Sequence, residues 1–96
     1  MNKGELVDAV ASKTEISKKN VEAVISAAVE VIIDAVAEGD RVTLVGFGSF
    51  EPRIRQEREG RNPRTGEKMI IPETKVPAFS AGKVFKDRVL GEEGED

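Results

Sequence analysis

The sequence predicts an α+β chain: two helices, then strands from which a two-stranded arm leaves the body, then one short helix. Three observations predict it. Apolar residues recur at helical spacing as far as Glu38 and switch to a period of two after Gly39. Two extended runs, interrupted by Pro52 and Pro72, enclose a cation-rich loop that reads REGRNPRTGEKM from Arg58 to Met69. Helical spacing returns after Ser80 and stops at Gly91. With 96 residues the chain is expected to form one domain over residues 1–90, followed by an acidic tail, 91–96.

Asn2-Lys3-Gly4-Glu5 reads as a capping box, in which the Asn2 side chain and Glu5 each satisfy a backbone N–H of the other. Leu6, Ala9, Val10 and Lys13 follow at helical spacing, so the first helix should run to Ser12 or Lys13. A second helix starts at Ser17, with Ile16 and Val21 at the positions of a hydrophobic staple, and extends to Glu38. Gly39 then supplies the left-handed residue that ends it. Glu22, Ser26, Glu30, Asp34 and Glu38 form one narrow polar stripe on this helix, and almost everything else on it is apolar. Such a helix must be covered on most sides. Either it is the central core helix of a monomer, or its surplus apolar surface meets a second copy of the chain. A domain this small buries only about 60% of its unfolded surface, which favours the homodimer.

Arg41 to Val45 is a β-branched strand, and Gly46-Phe47-Gly48 is a turn into Ser49-Phe50-Glu51. Pro52 should interrupt that strand at an edge, a bend or a departure from the sheet. From Arg53 the chain stays extended but has little to bury, and a return strand runs from Glu67 to Val76. We read residues 53–75 as a projecting ribbon. Ten or so residues a side at about 3.3 Å each would reach roughly 30 Å. Pro77-Ala78-Phe79 leads to Ser80, which is placed to cap the last helix over 81–90, with Phe79 and Val84 at staple positions and Val84, Phe85 and Val89 facing inward.

Composition removes whole classes of chemistry. The chain has no Cys, His, Trp or Tyr, so zinc and haem sites, histidine triads and cysteine nucleophiles are excluded. No metal, cofactor, small-molecule substrate or enzymatic activity is expected. No apolar run approaches the length of a membrane span and no signal-peptide pattern opens the chain, so a soluble, cytoplasmic protein is expected. Gly-Phe-Gly at 46–48 sits between strands and is a turn rather than a nucleotide loop. Ala81-Gly82-Lys83 has two open readings, an ordinary helix start or a helix N-terminus whose N–H groups and lysine hold one phosphate.

Charge is distributed unevenly. The net charge is −3, yet residues 41–88 carry eleven basic and six acidic side chains. Arg53, Arg55, Arg58, Arg61, Arg64, Lys68 and Lys75 decorate the ribbon, and Lys83 and Lys86 lie on the last helix. Alternation puts Arg53 and Arg55 on one side and Arg58 on the other. A ribbon lying in a nucleic-acid groove has phosphates on both flanks, and two-sided cations suit that use. No aromatic residue lies on the arm, which argues against stacking on single strands. Pro63 has two open readings, a turn residue with preset φ or an apolar wedge delivered to the groove floor. The tail from Glu92 to Asp96 is either a solubilising end or a competitor for the basic surface.

Gly46-Phe47, Phe50, Arg55, Arg58, Gly60, Asn62-Pro63 and Thr65, with the longer stretches MNKGELVDAVA, GDRVTLVGFGSF, GRNP and VPAFSAGK, resemble the bacterial histone-like HU and integration host factor family over nearly the whole chain. The resemblance implies a three-stranded antiparallel sheet with the protruding arm and an intertwined homodimer whose residues 1–40 serve dimerisation. It implies that the interface is built from Val21, Val24, Ile25, Ala28, Val29, Ile32, Ile33, Val36, Leu44, Phe47, Phe50 and Phe79. It further implies a largely sequence-independent, DNA-bending protein of the nucleoid, with two arms in the minor groove of double-stranded DNA and a preference for bent, nicked, gapped or mismatched duplex. Carried over by position, the DNA contacts are Arg53, Arg55, Arg58, Arg61, Asn62, Pro63, Arg64 and Lys68 on the arm, with Pro63 intercalating. Lys3, Lys75, Lys83 and Lys86 would touch phosphates on or near the body. A site-specific host-factor-like protein, or a protein–protein module docking its basic arm on an acidic partner, are the alternatives.

Overall fold

The computed structural model describes residues 1–91; the expected acidic tail, Gly91 aside, lies outside the described residues. The chain divides into two compact units, Met1–Asp34 and the residues from Ala35 onward.

The first unit holds α1 (Lys3–Thr14) and most of α2 (Lys18–Ala37). The capping box is present: the Glu5 N–H donates to Asn2 Oδ1 and the Asn2 N–H to Glu5 Oε1, both across 2.9 Å. Glu15 ends α1 in the left-handed region at φ 63°, a conformation that costs a non-glycine residue roughly 1–2 kcal/mol. Its N–H donates to the Ala11 carbonyl across 2.8 Å, which offsets part of that cost. Ser17 then opens α2, its Oγ accepting from the Asn20 N–H across 3.2 Å. Val7, Ala11 and Val21 are the buried core of this unit, with Val10 and Ile25 against it. The spacing of four on each helix gives each one a single inward edge, and no side chain larger than valine is buried there. Much of α2's remaining apolar surface is open: Val24, Val29, Val31 and Ile33 are between 51% and 67% exposed.

In the second unit Gly39, at φ 96°, closes α2. Three strands follow, β1 (Val42–Leu44), β2 (Gly48–Arg55) and, after the arm, β5 (Thr74–Ala81), antiparallel in the order β1-β2-β5. The expected interruption at Pro52 does not occur. β2 runs through it, and Pro52 pairs with Pro77. Two prolines can face each other only at a pair whose N–H groups would point away from the shared ladder. On β5 that direction is the sheet edge; on β2 it is the flank where β1 has already ended, its Val42 pairing with Phe50. The pair Phe50–Phe79 lies two residues along and so belongs to the same narrow class, in which opposing side chains are closest. Their ring centroids are 4.9 Å apart.

Phe47 and Phe85 join these two rings. Phe47 lies 5.4 Å from both Phe79 and Phe85, stacked on the latter. Gly48 makes room for the cluster: a Cβ there would come within 2.5 Å of the Phe79 ring, and its φ of 153° disfavours other residues. Even so the cluster is half open, with Phe47, Phe79 and Phe85 between 37% and 46% exposed.

α3 spans Lys83–Leu90 and ends at Gly91, φ 78°. Its start differs from the expectation. Ser80 is in β5 opposite Ser49, and the cap is Gly82, which has no side chain to offer. The tertiary structure supplies the missing acceptors: the Gly46 carbonyl takes the Phe85 N–H across 3.2 Å, and Phe47 O takes the Gly82 N–H across 2.9 Å. Gly82 is required at this crossing, because a Cβ would sit 2.8 Å from the Gly46 carbonyl oxygen. Val84 and Val89 do not face inward either; they are 58% and 74% exposed.

Candidate nucleic-acid interface

Beyond the sheet, β3 (Arg58–Arg61) and β4 (Lys68–Ile71) pair as a separate two-stranded ladder. The ribbon is therefore broken once, at Gln56-Glu57 on one side and Pro72-Glu73 on the other. Pro72 has no N–H to give the ladder. The gap is two residues on both sides, so the register that pairs Arg55 with Thr74 continues unchanged to Arg58 and Ile71.

That continuity sorts the cations. By register Arg53, Arg55, Arg61 and Lys68 share one face, while Arg58 and Lys75 share the other with Ile54, Met69 and Ile71. The two-sided placement expected from alternation is present. Gly60 leaves space for Ile71, whose Cδ1 would be 2.8 Å from an added Cβ.

The tip is built by Asn62. Its carbonyl accepts the Gly66 N–H across 2.7 Å, its N–H donates to Glu67 O across 2.9 Å, and its Oδ1 accepts the Arg64 N–H across 2.8 Å. Gly66 takes the left-handed conformation at φ 77°, and the Arg61 Nη1 donates to its carbonyl across 2.9 Å. Pro63 is the first residue of the resulting turn, exposed at the apex. The side-chain oxygen of Asn62 and one guanidinium nitrogen of Arg61 thus brace the loop itself.

Other cations divide into engaged and unengaged. Lys3, in the first unit, donates to Ser26 Oγ across 2.7 Å and lies 4.0 Å from Glu22. Arg53 is held by Glu51 at 3.0 Å. Lys83 is paired with Asp87 at 2.8 Å, one turn along α3. The hydrogen bond that Lys83 donates to Asp87, and then the Asp87 charge, raise the Lys83 pKa above the ordinary lysine value of 10.5. Lys83 is therefore turned along the helix, not toward its N-terminus. Among the described residues, Arg55, Arg58, Arg61, Arg64, Lys68, Lys75 and Lys86 form no ion pair. Sequence reasoning did not single out Arg41, which lies 3.1 Å from Glu51 on the far side of that carboxylate from Arg53; a lone arginine at a strand start gave no signal.

Of the residues expected at a subunit interface, Val21 and Val36 are already buried in the single chain, at 4% and 9% exposure. Ile25, Ile32 and Phe50 are half-buried. Val24, Val29, Ile33, Leu44, Phe47 and Phe79 are exposed, and Ala28 with them.

Comparison with known proteins accords with this arrangement. Residues 1–90 match the family described as bacterial DNA-binding protein. The DNA-binding protein HU of Synechocystis is 66% identical, over 96% of this chain and 98% of that protein. The Anabaena HU–DNA cocrystal structure is 67% identical with a TM-score of 0.89, covering 93% of this chain and 97% of that one. HU from Thermotoga maritima, at 36% identity, keeps a TM-score of 0.67 over 93% of this chain and 98% of its own. With its sheet, its arm and nearly all of its length matched, the chain belongs to the bacterial DNA-binding protein family of the histone-like HU proteins.

Proposed function

We propose that this protein binds double-stranded DNA with little regard to sequence, as a homodimer whose two arms enter the minor groove and bend the duplex, and that it works in the nucleoid. The observation that carries the reading is the arm: cations that form no ion pair within the described residues on both faces of one ribbon, with a proline at its apex. Phosphates flank a groove on both sides, so both faces are used. Two strands about 4.8 Å apart, with their side chains, overfill a minor groove about 6 Å wide, and the groove must open. Opening bends the helix, and an apolar ring wedged between base steps holds the bend by keeping them partly unstacked. Duplex that is already nicked, gapped or mismatched resists less, so such DNA should bind more tightly. The Anabaena relative determined with DNA supports the reading.

The homodimer rests on the open apolar surface of α2 and the half-open phenylalanine cluster, a quantity of exposed apolar area that small soluble domains cover with a partner. Gel shifts of intact, nicked and gapped duplexes over a salt series test the proposal. Affinity should fall steeply with salt, with a log–log slope of about −0.9 per phosphate contact. Arg55→Gln and Arg58→Gln, each removing one contact from both arms, should each reduce that slope by about 1.8 units without creating sequence preference. A flat dependence, or slopes unchanged in both variants, would remove the arm as the binding surface.

A further inference from the structure

The polar face of the sheet carries a charge arrangement that the arm does not explain. By register Thr43, Ser49 and Ser80 lie side by side across β1, β2 and β5, and Thr43 Oγ1 is 3.0 Å from Ser49 Oγ. One step toward the arm on the same face stands Glu51, with Arg53 beyond it and Arg55 next. The Glu51 carboxylate is 23% exposed and is divided between two guanidinium groups: Oε1 lies 3.1 Å from Arg41 Nε, and Oε2 lies 3.0 Å from Arg53 Nη2. Arg53 Nη2 also reaches Ser80 Oγ at 3.5 Å.

One carboxylate cannot neutralise two guanidiniums, so the group retains a net positive charge. Neither arginine is fully engaged. Arg41 is ion-paired with Glu51 through its Nε side, which leaves the Nη1–Nη2 fork unbonded within the described residues. Arg53 commits Nη2 and keeps Nε and Nη1. Both side chains remain more than half exposed, at 63% and 55%. A planar guanidinium held at one edge presents its other donors in a fixed direction, which suits bidentate contact with a phosphate.

We propose that Arg41 and Arg53, held on opposite oxygens of Glu51, form a phosphate-docking point on the polar face of the sheet, at the root of the arm, for the backbone of duplex DNA that runs past the arm-bound segment. Arg41 is the new contact and Glu51 a positioning residue. The proposal rests on the DNA-binding reading above. It commits Glu51 to orienting the two arginines, as against the opposite role in which a carboxylate occupies the phosphate's place and weakens binding.

The test uses the full chain and a random-sequence duplex of about 40 base pairs, with affinities taken over a salt series and thermal melting to check that each variant is folded. Arg41→Gln, present in both subunits of the proposed homodimer, should lower the log–log salt slope by about 1.8 units, the loss of one phosphate contact from each subunit. Glu51→Gln should weaken binding, and Arg41→Gln added to it should have less effect than in the parent, because the fork is no longer aimed. Arg41→Lys keeps the charge and loses the fork; it should restore the slope only in part. An unchanged slope in Arg41→Gln would overturn the docking point. Tighter binding by Glu51→Gln would overturn the positioning role. A parent protein that binds no duplex would instead overturn the DNA reading, an outcome separable from both.

Discussion

Asn62 and Gly66 close the tip of the arm: the Gly66 N–H donates to the Asn62 carbonyl across 2.7 Å, and Pro63 is carried between them. The loop is held by its own backbone, by the Asn62 side chain and by Arg61, so the proline is not needed to close it. Pro63→Ala should therefore leave the turn formed and most of the phosphate affinity intact. Bending should be lost, read by ring closure of short fragments or by end-to-end energy transfer, because no rigid ring would hold an unstacked base step open at a cost of a few kcal/mol. Full bending by the variant would make Pro63 a turn residue only.

Gly48 predicts a stability loss. In Gly48→Ala the new Cβ meets both the Phe79 ring, at 2.5 Å, and the Ser80 carbonyl oxygen, at 2.6 Å, on a backbone at φ 153°. Ring and main chain cannot both yield, since Phe79 is also held against Phe47, Phe50 and Phe85. We expect a loss of about 1–3 kcal/mol, the range of overpacked cores, measured by denaturant unfolding. A variant as stable as the parent would contradict the packing described.

Val29 separates monomer from dimer. It is 51% exposed in the single chain, so Val29→Asp in a monomer should change stability by no more than about 0.5 kcal/mol. Within a subunit interface the same unpaired charge is buried, at a cost of several kcal/mol. We expect the parent to sediment at twice its chain mass at micromolar concentration and the variant to be largely unfolded there. A folded, monomeric parent would end the dimer proposal.

Lys83 gives a pH expectation. Its pKa is raised by the hydrogen bond and charge of Asp87, so the pair's contribution is complete below the unfolded lysine value of 10.5 and disappears as pH rises through the higher folded value. Stability near neutral pH should not depend on this titration. Asp87→Asn should return the Lys83 titration, followed by side-chain NMR, toward the ordinary value; no movement would mean that the 2.8 Å contact does not form in solution.

Local chemistry was legible in the sequence because it involves residues close along the chain. The Asn2–Glu5 capping box, the Ser17 start, the stops at Gly39 and Gly91 and the turn at Pro63 are all decided within a few bonds by donors, acceptors and φ preferences. Alternation likewise put Arg53 and Arg55 opposite Arg58 before any strand was paired, since the period of two is a property of the extended backbone. Tertiary structure decided what depends on partners distant in sequence. Pro52 reads as a strand breaker until Pro77 is set opposite it, on flanks where neither N–H is wanted. Ser80 reads as a helix cap until β5 claims it and the Gly46 carbonyl satisfies α3 in its place. Arg41 carries no signal in the sequence at all. It gains one only when pairing of β1 with β2 brings Glu51 to its side, because an ion-pair partner ten residues away is fixed by sheet register and not by any local preference of the chain.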